Sequence, residues 1–275
     1  MRIPFVNGQF YKNDFIELEN QIKDCFLSKF GPNELPEKRT KKILGIITPH
    51  AGYSYSGPCA AYSYKEIAES EFKKYIILGV NHTGYHGNKL ALSYDEWQTP
   101  FGAVKNSNQK IDNLKADMKA HVFEHSIEVQ LPFLQFVSKD KLKDLRILPI
   151  TVSEIDYDYC VKIAKEFPKD SILIISSDFT HYGPLYNYTP FSDNKRENIE
   201  KLDMEAINLI LNFKTKEFLD YCKDKTICGM YGIALGLEIL KNMGATKARL
   251  LKYYTSGDVT KDYDNMVGYA SIVFE

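Results

Sequence analysis

The feature that most constrains the fold is a series of short apolar runs separated by segments of helical pattern. Residues 43–47, 75–80 and 171–176 carry almost no polar alternation and are too brief for stable helices. Such runs read as strands buried on both faces, as in a parallel sheet covered by helices. Further strands are expected over 89–93, 146–152, 250–255 and 267–274, with outer strands or a hairpin over 97–104. Helices are expected from 13 or 14 to 29, from Gly57-Pro58 through Ile67, over 112–118, over 126–137 with a bend at Pro132, and over 156–166, 195–211, 216–222 and 229–242. Alternation along the whole length predicts an α/β protein. The expected architecture is one single-domain α/β/α sandwich over residues 1–275, with a largely parallel central sheet and an antiparallel final strand pair.

Charge and cysteine usage narrow the function classes. Thirty-five basic residues against 36 acidic ones leave a net charge of −1, which gives no electrostatic reason for a nucleic-acid or anionic-membrane partner. The cluster Lys38, Arg39, Lys41 and Lys42 precedes a strand and reads as a solvated loop. No apolar stretch approaches the roughly 20 residues of a bilayer span, and the N-terminus lacks an apolar signal core, so a cytoplasmic location is expected. The five cysteines form no CxxC pair, which argues against a disulfide framework and a zinc ribbon.

The turns that end the buried runs point to chemistry. The first run leads into Thr48-Pro49-His50-Ala51-Gly52-Tyr53, the second into Asn81-His82-Thr83-Gly84, and the third into Ser177-Asp178-Phe179-Thr180-His181-Tyr182-Gly183. Ligands of open α/β sheets bind outside the carboxyl ends of the strands. Three strands therefore bring His50, His82 and the Asp178/His181 pair, half of the six histidines, to one edge. Imidazoles supply neutral nitrogen ligands and a carboxylate fixes their tautomer, so His50 and His82 are the first candidates for a metal. Asp178 and His181 complete the shell, or serve as an orienting carboxylate and a general base.

Glu124-His125-Ser126-Ile127-Glu128 opens a helical pattern. Glu124 and Glu128 read as favourable charges at a helix start, and the alternative places His125, with Glu128, on the pocket wall. Cys228, in Thr226-Ile227-Cys228-Gly229, stands where a helix begins, a position that favours the thiolate; it reads as either a ligand or a packing residue. The other four cysteines, together with Tyr53, Tyr55, Tyr182 and Trp97, read as packing, and His86 and His121 as surface residues.

With these residues the chain resembles the Memo family, which is similar in fold to class III extradiol dioxygenases, the non-haem iron enzymes that open catechol rings. The matching blocks are residues 48–57, 78–82, 124–133, 176–183 and 226–229, with shorter likenesses at 8–11 and 97–102. The resemblance implies a metal site from His50, His82 and Cys228, holding Fe(II) with copper as the alternative, and a catalytic role for His181, Asp178 and His125. It departs from the dioxygenases in placing Cys228 where their carboxylate ligand is expected; a softer thiolate favours redox chemistry over assured ring cleavage. It also departs from some Memo proteins in having Val6-Asn7 where they carry a histidine. Family context implies AMMECR1-like and radical SAM pathway partners. The leading expectation is an oxidoreductase acting on a small-molecule or peptide substrate. The alternatives are a non-catalytic ligand-binding or scaffold protein, and a metal-free Cys/His hydrolase.

Overall fold

A computed structural model describes residues 1–37, 39–71, 74–85 and 88–275. In chain order its elements are α1 (Phe15–Leu27), β1 (Gly45–Thr48), α2 (Tyr53–Glu69), β2 (Lys74–Val80), β3 (Leu90–Leu92), β4 (Trp97–Thr99) and β5 (Gly102–Asn106). Next come β6 (Lys115–Ala116), α3 (Lys119–Val122), α4 (Gln130–Val137), β7 (Arg146–Val152), α5 (Tyr157–Ile163), β8 (Ser171–Ser176) and β9 (His181–Tyr182). The chain ends with α6 (Lys195–Leu211), α7 (Thr215–Cys222), α8 (Met230–Met243), β10 (Ala248–Thr255), α9 (Ser256–Thr260) and β11 (Met266–Phe274).

The sheet runs β10-β11-β1-β8-β2-β7-β3-β6. Its centre, β1-β8-β2-β7, is parallel; β11 and β3 join it antiparallel, and β10 pairs antiparallel with β11. The apolar runs alternate sides with the two-residue period of a strand. Ile46, Ile77, Ile147 and Ile174 face α1, α2 and α4, whereas Ile47, Leu78, Leu148 and Ile175 face α5 to α8. This is the α/β/α sandwich. Both sheet faces are dry, which is why the central strands lack polar alternation. Among the described residues no helix is long and apolar enough to cross a membrane.

Several elements depart from expectation. Residues 112–118 are not helical: Asn113 has φ 65°, and Lys115–Ala116 pairs with β3 instead. A left-handed residue stops a helix before it can propagate. The helix expected from 126 begins at Gln130, because Ser126 Oγ accepts the Val80 N–H at 2.9 Å. Pro132 consequently falls in the first turn, where its missing N–H costs nothing. Conversely α2 begins at Tyr53, before Gly57, and Pro58 lies inside it. The carbonyl that Pro58 leaves without a helical partner belongs to the exposed Ser54. Of the basic cluster, Arg39 pairs with Asp140 at 2.8 Å, Lys41 with Glu66 and Glu69, and the exposed Lys42 with Glu71 at 4.0 Å; Lys38 lies outside the described residues.

His121 is a clear correction. It is fully buried, with Nε2 bonded to the Ala91 carbonyl at 3.1 Å and its ring edge-on to Trp97. His86 lies outside the described residues. Cys25, Cys59, Cys160 and Cys222 are buried in helices, and Tyr53, Tyr182 and Trp97 are core residues, whereas Tyr55 is exposed.

Candidate metal centre

Strand register builds the site. Thr48 stands opposite Ser176, so His50 and Asp178, each two residues further on, emerge side by side beyond the sheet. Asp178 Oδ1 accepts the backbone N–H of His50 at 2.8 Å, and its Oδ2 stands 4.0 Å from His50 Nε2. His82 leaves the end of β2, two positions from β1 in the sheet. Its neighbour on the far side of the cleft is the 124–127 segment, which lies against β2 because residue 79 is glycine. A Cβ at Gly79 would come within 2.4 Å of Ile127 and 2.7 Å of Ser126 Oγ. The same holds where Cys228 arrives: a Cβ at Gly229 would meet Ser177 at 2.4 Å.

The hydrogen-bond network fixes how each ring points. Ser176 Oγ donates to the Ser126 carbonyl at 2.7 Å and accepts from Gln130 Nε2 at 2.9 Å, so it must also accept from His50 Nδ1 at 3.0 Å. His50 therefore carries a proton on Nδ1 and turns Nε2 to the cleft. His82 Nδ1 donates to Glu124 Oε1 at 3.0 Å. His181 Nδ1 donates to the carbonyls of Phe179 and Thr226, both at 3.0 Å. Each of the three rings thus spends Nδ1 on the protein and presents Nε2.

The rings stand close. His50 meets His82 edge-on with centroids 5.1 Å apart, and His82 stacks on His125 at 4.7 Å. His50, His82 and His125 offer nitrogen atoms that all lie within 4.8 Å of one another, a group that could hold a metal ion. Cys228 Sγ lies 3.3 Å from His50 Nε2. That is near the ~3.5 Å edge between sulfur and nitrogen ligands around a tetrahedral ion with Zn-like bond lengths.

Electrostatics suit the same reading. Burial works against a Cys228 thiolate, but electrostatic interaction with His50, hydrogen bonds to His50 and His82 and the nearby His181 outweigh it and bring the thiol down to about 5. Burial also opposes charge on His82, yet Cys228 and Glu124 raise it to about 10. Burial and the neighbouring His50 push His125 down to about 4, keeping it neutral. Glu124 is fully buried; burial resists its charge, but His82, His125 and the Ser126 N–H hold its carboxyl at about 2. The group combines neutral or displaceable imidazoles with a thiolate, which is a soft donor set.

The histidines of this group stand at the floor and side of a cavity of about 530 Å³, within the range for small-ligand sites. His50, His82, His125, Asp178 and His181 line it, with Phe10, Tyr55 and Tyr186 as aromatic walls. A cleft of about 620 Å³ between α5, α7 and α8 has no histidine or cysteine in its lining. Glu128 does not reach the pocket wall. It is fully buried and turned towards the N-terminus, where it pairs with Arg2 and accepts from Phe5 N, Val6 N and Tyr11 Oη. The N-terminal segment contributes Phe10, packed 4.9 Å from His125.

Compared with known proteins, residues 2–273 match the family model described as Memo-like protein. The chain belongs to the Memo family. A MEMO1 family protein of Methanococcus maripaludis strain C6 is 40% identical over 292 aligned positions, covering 99% of each chain. Another MEMO1 family protein, from Methanocaldococcus jannaschii, is 38% identical, with 100% of this chain and 99% of the relative covered. A third, from Methanopyrus kandleri, is 36% identical, with 99% and 98% covered. The Memo match thus takes in every element that delivers a pocket histidine.

Two anchors escape sequence reasoning. Glu124 reads as a helix-start charge, whereas it accepts from His82 N, His82 Nδ1, His125 N and Ser126 N. Its adjacency to His125 is the only signal of that role in the sequence. Ser176 opens a matching block, but its place at the end of an apolar run gives no sign that it holds the His50 ring.

Proposed function

We propose that this Memo-family chain is a metal-dependent oxidoreductase that binds Fe(II), or alternatively copper, through His50, His82 and Cys228, with His125 beside them. The observation that carries the reading is the 3.3 Å approach of Cys228 Sγ to an imidazole Nε2 whose ring is already fixed through Nδ1. Ligand rings held by partners of this kind are the usual arrangement of metal-binding histidines. A thiolate donor favours iron or copper over hard cations, and such a metal would supply electron transfer at the pocket floor.

The chain's own residues would do the rest. Asp178 holds the His50 backbone and orients that loop. His181, its Nδ1 tied to two carbonyls, has Nε2 available to take a proton from a substrate in the cavity. Phe10, Tyr55 and Tyr186 provide faces for a small-molecule or peptide substrate and exclude water beside the donors.

The test is metal analysis of protein purified without a chelating tag and reconstituted anaerobically. Stoichiometric iron or copper, lost in His50→Ala and Cys228→Ala, supports the reading; no binding by the folded wild type overturns it. The low Cys228 thiol beside His50 also supports a second reading, a metal-free nucleophile and base pair. Turnover of a thioester or ester substrate unaffected by chelators would favour that reading instead.

A further inference from the structure

Cys228 faces His50, yet it also lines a second cavity that none of the pocket histidines touches. This crevice, of about 260 Å³, lies where β2 and β7 end, walled by Val80, Asn81, Val152 and Ser153 below and by the start of α8 above. The two strand ends stay paired beneath it, Asn81 N donating to the Val152 carbonyl at 3.2 Å.

Gly232 keeps its roof open. Gly229 and Gly236 are demanded by packing, since a Cβ would meet Ser177 at 2.4 Å or Ile175 at 2.3 Å. A Cβ at Gly232 would meet nothing within 4 Å. Glycine inside a helix costs about 1 kcal/mol relative to alanine. Packing of the helix on the sheet does not require glycine here, and the space beyond Gly232 has room for a larger side chain. The polar walls are self-satisfied, with Asn81 Nδ2 donating to Ser153 Oγ at 2.9 Å, and the exposed Glu154 at the rim disfavours anions.

We propose that the crevice is the access route to Cys228, admitting neutral molecules of a few heavy atoms without passage through the histidine pocket. The inference does not depend on a metal being bound.

Iodoacetamide alkylation of metal-free protein tests it, followed by peptide mass spectrometry at Cys228 under conditions where the rate no longer rises with pH. The four buried cysteines serve as internal controls. Gly232→Ala should react like wild type, whereas Gly232→Leu and Gly232→Phe, with unchanged circular dichroism, should slow Cys228 alkylation by about tenfold or more. Rates within twofold of wild type in the folded Leu or Phe variant overturn the proposal. Should both variants misfold, the unsubstituted protein decides: an iodoacetamide group carried on a long polyethylene glycol chain should react far more slowly than iodoacetamide itself. Comparable rates overturn it.

Discussion

Glu124 grips His82 twice, its Oε2 accepting the backbone N–H at 2.8 Å and its Oε1 the ring Nδ1–H at 3.0 Å. Loop position and ring tautomer are thus set by one buried carboxylate, which also takes the next two backbone N–H groups of its own segment. Glu124→Gln keeps the shape but loses the charge. It should weaken metal binding by about 10–100-fold, the usual cost of removing such a partner. Competition against a chelator of known affinity reads this directly, and an unchanged affinity would remove Glu124 from the site.

The Cys228 thiol provides a pH signature of the metal-free protein. Its folded value of about 5 lies below the roughly 8.5 of an unfolded thiol. The thiolate's favourable interactions therefore stabilise the fold above that unfolded value and are lost as pH falls through about 5. Thiolate ultraviolet absorbance should titrate with a midpoint near 5 in wild type and move upward in His50→Ala. A midpoint near 8.5 in both would contradict the geometry.

Metal loading should release protons at neutral pH. His82 holds its proton up to about 10 because Cys228 and Glu124 outweigh its burial, so an incoming ion must displace it. Apparent affinity should rise with pH from about 5 towards 10. Calorimetry in two buffers of different ionisation enthalpy counts the released protons; equal apparent enthalpies would mean that none is released.

Arg2 is a structural counterpart at the other end of this segment. It pairs with Glu128, donates to the carbonyls of His121 and Glu124, and lies 4.5 Å over Trp97, with almost no exposure. Arg2→Ala leaves Glu128 buried without its cation and should destabilise the fold by about 3–5 kcal/mol. Urea unfolding measures this, and a change under about 1 kcal/mol would show that the pair contributes little.

The central strands are legible in the sequence because a dry sheet demands continuous apolar runs, and the histidine turns because each run ends in one. Residues 146–152, 171–176 and 195–211 need no adjustment at either end. The features that escape are decided by partners far along the chain. Ser126 reads as a helix residue until Val80 claims its hydroxyl, and His121 as a surface residue until Ala91 and Trp97 enclose it. Glu124 and Glu128 look alike in sequence, yet one turns to the pocket and the other to the N-terminus. No local pattern separates them.

His50 and Cys228 meet across 178 positions of sequence. The donors therefore come together only after the central strands and α8 have docked, and an unfinished chain has no such site to offer. An ion that binds only the finished arrangement would act as a late latch on folding, slowing unfolding more than it speeds assembly. Metal supply would then set the lifetime of this protein as well as its chemistry.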